Sequence, residues 1–163
     1  MWGAIVDDRQ GPLVQLQLGK DAHGRRKGTG LNGEKYVSQI LRGPLKAFYD
    51  EVCMERGDSV LVVEDGHPAH RSMTTNQARE QLGICNLPHP PSSPDLNPIE
   101  PLWDVLKHHI GKIPGSYHSL DTLWEAAQKV WREFMEDDIH KHTSKMVDRV
   151  AAVWAAKSWH TKF

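Results

Sequence analysis

Ser59-Val60-Leu61-Val62-Val63-Glu64-Asp65-Gly66-His67-Pro68-Ala69-His70 is the stretch on which the fold turns. Residues 59–63 form a short, unbroken, β-branched run, the pattern of a central strand buried on both faces. Asp65 follows two residues past Val63, at the kind of strand end where open α/β sheets build their sites. A second stretch, Ser93-Pro94-Asp95-Leu96-Asn97-Pro98-Ile99-Glu100, sets another carboxylate at the opening of a helix, with 34 residues between Asp65 and Glu100. Two carboxylates brought together by a fold are the minimum equipment for holding a divalent metal against a phosphate.

Working outward from that strand, residues 2–6 and 12–18 read as strands joined by the turn Asp7-Asp8-Arg9-Gln10-Gly11-Pro12. Leu13-Val14-Gln15-Leu16-Gln17-Leu18 alternates apolar and polar, as a half-buried strand does. A glycine-rich basic loop fills residues 19–30. Asn32 is placed to cap a helix carrying Tyr36, Val37, Ile40 and Leu41. Pro44 is placed to start another, with Leu45, Phe48, Tyr49 and Val52 on one stripe and Gly57 as its stop. A helix from Ser72 or Thr74 runs to Leu82 and ends at Gly83, and a short strand follows over 84–87. Pro88, Pro90, Pro91 and Pro94 then enforce an extended loop. Further helices are expected over about 98–110, 120–135 and 144–156. Strands mixed with helices predict an α/β fold, a mixed sheet flanked by helices.

The 163-residue length is that of one domain, 1–163, able to bury a core, with 25% charged and 39% hydrophobic residues. The longest aliphatic run is Val60-Leu61-Val62-Val63, too short to span a bilayer, and the start Met1-Trp2-Gly3-Ala4-Ile5-Val6 has no signal-peptide pattern. Cys53 and Cys85 make no disulfide framework, which points to a reducing compartment. Net charge is −1, against a nucleic-acid binder on balance alone. The basic residues nevertheless cluster in two zones, 20–46 and 139–163, that could track a phosphate backbone. Within the first, Arg25, Arg26 and Lys27 are candidate DNA-backbone contacts; the plain alternative is a solvated loop.

Phosphodiester cleavage needs a nucleophilic oxygen, a stabilised leaving oxygen and neutralised phosphate charge, and two magnesium ions about 3.5–4 Å apart supply all three. Magnesium takes hard oxygen ligands and keeps several waters, so a few carboxylates suffice. His67-x-x-His70 with Cys85 and His89 raises zinc as an alternative, but the tight paired spacing of structural zinc sites is missing. Read without further context, Asp65 could equally be a turn residue beside an exposed Glu64. Glu100 fits a capping box with Asn97, and Asp95 reads as a turn former. Trp103, Trp124, Trp131 and Trp154 lie at helical spacings among apolar residues and read as core.

Trp2-Gly3-Ala4-Ile5, Glu64-Asp65-Gly66-His67-Pro68-Ala69-His70, Leu82-Gly83-Ile84 and Ser93-Pro94-Asp95-Leu96-Asn97-Pro98-Ile99-Glu100-Pro101-Leu102-Trp103 resemble the catalytic domain of mariner-superfamily transposases. So does the tail from Met146 to Phe163. The resemblance implies a ribonuclease H-like fold and a catalytic triad of two Asp and then Glu or Asp. It implies metal-dependent cleavage and transfer of DNA strands in transposition, with Mg2+ or Mn2+ as cofactor. Asp65 matches the second acid and Glu100 the third, and His70 matches a histidine that the motif carries, here a further candidate DNA contact. The implied partners are transposon-end and target DNA, with no membrane and no small-molecule substrate. The implied location is the nucleus or cytoplasm.

In the family the first acid lies on a strand before the Trp-Gly-Ala-Ile strand, so the chain reads as a catalytic domain without its first strand, its first acid or the helix-turn-helix DNA-binding region. Asp7 and Asp8 are poor substitutes, because strand direction puts them at the far end. Gly66 stands where Asn is common. Pro101 also stands where Asn is common, and, if Asn97 were the cap, it would delete the first hydrogen bond of the helix. The expectation is a fragment with little or no activity alone, poorly soluble and inclined to dimerise through an exposed strand edge. The competing readings are a non-catalytic transposon-derived remnant that binds DNA or protein, and a metal-dependent nuclease using Asp65, Glu100 and a local acid.

Overall fold

The computed structural model describes residues 1–19, 30–57, 60–90 and 93–156. They belong to two compact units, Met1–Trp2 with Val14–Ser92, and Gly3–Leu13 with Ser93–Phe163.

In the first unit Asn32 caps the chain's first helix as its residue type dictates, its side-chain oxygen accepting from Lys35 N at 2.9 Å. Helix α1 (Gly33–Tyr36), a π-helical stretch (Val37–Leu45) and α2 (Lys46–Arg56) then follow without a break, every junction residue being right-handed helical. Pro44 therefore does not start a helix but lies inside one. It supplies no donor to the ladder, and the wider π winding occupies the stretch around it. Gly57, at φ +83°, ends α2, as expected of the residue that tolerates positive φ.

Strand β3 is only Val62–Val63 and pairs in parallel with β4, Asn86–Leu87, in the register Val62↔Asn86 and Val63↔Leu87. This corrects the expected central strand buried on both faces. Leu61, Val63 and Leu87 are exposed, and only Val60 and Val62 turn toward the core of this unit. Helix α3 (Pro68–Arg71) is one turn, capped by His67. Helix α4 (Met73–Leu82) is capped by Ser72 and closed by Gly83 in the left-handed conformation. Tyr36, Ile40, Leu41, Leu45, Tyr49, Ala69, Ala78 and Ile84 form the core. Gly33 matters here, because a Cβ on it would meet Ser72 Oγ at 2.0 Å. The bare glycine lets α1 lie against the start of α4.

β1 (Trp2–Val6) and β2 (Arg9–Val14), which belong to the second unit except for Trp2 and Val14, pair across the turn Asp7-Asp8, with Asp7 at φ +49°. The second strand thus begins earlier than its alternating pattern indicates, and the alternating residues 15–18 lie beyond it. Helix α5 (Glu100–Gly111) and α6 (Leu120–Glu133) pack their apolar stripes together, burying Leu102, Leu106, Ile110, Ala127, Val130 and Trp131. Trp103 and Trp131 stack with ring centroids 5.5 Å apart, and Trp131 Nε1 donates to Gly11 O at 3.0 Å. Helix α7 (Glu136–Thr143) was not anticipated from sequence. Its first turn is acidic and its last basic, which suits the helix dipole, but Ile139 is its one fully buried side chain. Helix α8 (Met146–Ala155) completes the unit, and Trp154 on it is 81% exposed rather than part of the core.

The architecture is mixed α/β as expected, yet helix-rich. Among the described residues the strands form two two-stranded sheets rather than one larger mixed sheet. No helix among them is long and apolar enough to cross a membrane.

Candidate metal-binding acids

Asp65 sits just past β3, in the loop that leads into α3. Its Oδ1 accepts from His67 N at 3.0 Å and lies 2.8 Å from His70 Nδ1. Its Oδ2 has no partner among the described residues, and the carboxylate is half exposed. The hydrogen bond from His70 holds the Asp65 pKa down to about 2, desolvation opposing it and the His67 amide assisting. The result is a carboxylate fixed through one oxygen and ionised at neutral pH. His70 itself is mostly buried, its ring 4.5 Å from that of Tyr36.

Glu64 departs from its expected exposure. Its side chain is buried, ion-paired with Arg79 Nη2 and hydrogen-bonded by the Tyr36 hydroxyl. Burial and the neighbouring Glu64 carboxylate together push the Tyr36 pKa far up, so the phenol stays a donor. Arg79 Nη1 also donates to His70 O at 2.8 Å and Asn76 Oδ1 at 3.0 Å. Sequence reading missed Arg79 and Tyr36. The available signal was Arg79 sharing the buried face of α4 with Thr75 and Ala78, the i, i+3, i+4 positions of one stripe.

Glu100 is the first residue of α5. Asn97 Nδ2 donates to its Oε1 at 3.2 Å. The cap is Ile99, not Asn97, and the first backbone bonds run from Leu102 N and Trp103 N to Ile99 O at 3.0 and 3.1 Å. Pro101 therefore falls in the first turn, where a backbone N–H has no intrahelical partner anyway, and it deletes nothing from the ladder. Ahead of the helix, Asp95 sits in the 3-10 turn Pro94–Leu96, and its carbonyl accepts from Arg149 Nη1 at 2.9 Å. Arg149 is 2% exposed, and burial lowers its pKa. No sequence pattern on α8 singled it out. Asp7, the substitute acid weighed above, lies in the hairpin turn 3.7 Å from His140 Nδ1.

Asp65 belongs to the first unit and Glu100 to the second. Arg25, Arg26 and Lys27 lie outside the described residues. Among the described residues no group of three or more His, Cys, Asp or Glu side chains is placed to hold a metal ion. The donor chemistry of Asp65, a hard ionised oxygen open on one side, does suit one ligand of a hydrated divalent ion.

Residues 34–124 match the profile of the DDE superfamily endonuclease. The chain belongs to this family. Along all 163 residues it is 31% identical to the Tc1 transposase of Caenorhabditis elegans, spanning 54% of that protein's length. It is 28% identical over 107 residues to the Tcb2 transposase of Caenorhabditis briggsae, which is 66% of this chain and 38% of that one. The chain thus spans about half, or less, of these relatives. Its fold is that of the Mos1 mariner transposase catalytic domain, with a TM-score of 0.70 at 19% identity over 85% of this chain and 68% of that one. Solved structures of the Mos1 protein include its catalytic domain and Raltegravir with Mg and with Mn, and a paired-end complex with Mn.

Proposed function

We propose that this chain is the part of a transposase that cleaves and transfers DNA strands, with Asp65 and Glu100 as its Mg2+- or Mn2+-ligating acids. The observation that carries the reading is Asp65 itself. Its carboxylate is ionised, anchored through Oδ1 and open at Oδ2, in the motif position of a family whose name is endonuclease. Glu100, braced by Asn97 at a helix start, supports the second half of the pair. A bound divalent ion would polarise the scissile phosphate and activate the attacking oxygen. The chain's own residues keep Asp65 ionised and fixed, and Asn97 braces Glu100. The partners in this reading are transposon-end and target DNA, with Arg25, Arg26 and Lys27 on the backbone and a second copy of the chain as a further candidate partner, in the nucleus or cytoplasm, with no small-molecule substrate.

Sites of this kind balance two divalent ions with three or more acidic groups, and two are assigned here. The 163-residue chain alone is therefore expected to cut DNA at or near background, which keeps a DNA- or protein-binding remnant as the second reading. The test is nicking of duplex DNA by purified protein in Mg2+ or Mn2+, wild type against Asp65→Ala. Cleavage near background for both is the expected result. Robust cutting lost in the variant would overturn the inactivity while supporting the role of Asp65, and robust cutting retained in the variant would overturn the role itself.

A further inference from the structure

We infer that Arg79, with Glu64 and Tyr36, is a positioning device for Asp65: a buried brace that grips the metal-ligating loop at both ends. The inference rests on the reading of Asp65 as a metal ligand. Arg79 leaves the middle of α4 and reaches two points of the 64–70 loop. Its Nη2 pairs with the Glu64 carboxylate, one residue before Asp65, and its Nη1 donates to the His70 carbonyl at 2.8 Å. His70 is in turn the residue whose Nδ1 lies 2.8 Å from Asp65 Oδ1. Tyr36, on the first helix, donates its hydroxyl to the other Glu64 oxygen and packs its ring on that of His70. Thr75 Oγ1 adds a bond to Ala69 O at 2.6 Å from the same face of α4. The Glu64 and Arg79 side chains are each 7% exposed, so the pair is desolvated.

A buried ion pair is a poor way to gain stability, because removing two charges from water offsets most of their attraction. What it supplies is geometry. Glu64 accepts from two different elements, and Arg79 donates to both ends of one loop, so the backbone of Asp65 has one arrangement that satisfies all of them. Groups that hold metal ligands in this way typically change metal affinity by about 10- to 100-fold when removed.

The test is Mn2+ binding to the full chain, followed by electron paramagnetic resonance of the free ion, alongside thermal unfolding. The variants are Arg79→Lys, Tyr36→Phe, Asp65→Asn and Ile40→Val, the last a core truncation in the same unit outside the brace. Arg79→Lys and Tyr36→Phe should each weaken Mn2+ by about tenfold, while Ile40→Val loses stability and keeps wild-type affinity. If Arg79→Lys does not fold, Tyr36→Phe, which deletes a single hydroxyl, decides the matter. Wild-type affinity in the brace variants with binding lost in Asp65→Asn would overturn the positioning role alone, as would an equal loss in Ile40→Val. Wild-type affinity in Asp65→Asn, or no Mn2+ bound by the wild type, would overturn the metal-ligand reading and the brace with it.

Discussion

At position 65 an imidazole lowers the pKa of a carboxylate. His70 and the His67 amide lower the Asp65 pKa from 3.8 to about 2, so the native state holds this proton more weakly than the unfolded chain. The contribution to stability is complete above pH 3.8 and is lost as pH falls through about 2. In His70→Ala the carboxyl is expected to titrate higher than in the wild type, read by carbon-13 NMR of the Asp65 side chain, and the acid-side stability in that window shrinks. A carboxyl that still titrates near 2 would show that His70 is not the cause. The placement of Asp65 just past a strand and of Glu100 at a helix start was legible in the sequence, because each ends a recognisable run, an aliphatic strand and a proline-punctuated turn. Glu64 was not. A carboxylate next to another at a strand end gives no sign of which one turns inward, and the arginine that selects Glu64 lies 15 residues away.

Among the elements, helices with strong end signals fell where their caps put them. Ser119 caps α6 through a reciprocal pair with Thr122, and Ser119→Ala is expected to destabilise the protein by about 1 kcal/mol in urea unfolding. Gly3 lies in β1 with the Trp103 ring 2.7 Å from where its Cβ would be. Gly3→Val is therefore expected to overpack the hairpin against the Trp103–Trp131 stack and to lower stability by about 1–3 kcal/mol. Helix α8 gives a paired contrast. Trp154→Lys should change stability by less than about 0.5 kcal/mol because the indole is exposed, while Arg149→Ala should lose about 3 kcal/mol by abandoning the Asp95 carbonyl in a buried site. Equal effects of the two substitutions in thermal unfolding would contradict this placement. Helix α7 escaped notice because a short, charged helix with one fully buried residue has no apolar period to read. The alternating residues 15–18 misled for the opposite reason: Gln17 N finds its partner in the Gln39 side chain rather than in a strand.

For the whole molecule, the sequence conveyed class and kinship better than layout. Motif spacing pointed to a transposase-type α/β fold, and the likeness to the Mos1 domain over 85% of the chain agrees. The expected single mixed sheet did not follow from local pattern, because strand pairing depends on partners far apart in sequence, and β3 finds its one described partner, β4, some 24 positions on. The functional claim at this scale is the proposal that the chain holds a divalent cation at Asp65. The most direct measurement loads the protein with Fe2+ in place of Mg2+ or Mn2+, generates hydroxyl radicals at the bound ion, and maps where the polypeptide is cut. The claim predicts cuts near residue 65 that are suppressed by excess Mn2+ and lost in Asp65→Asn. Cuts that leave the neighbourhood of residue 65 intact, or that Mn2+ does not suppress, would contradict it.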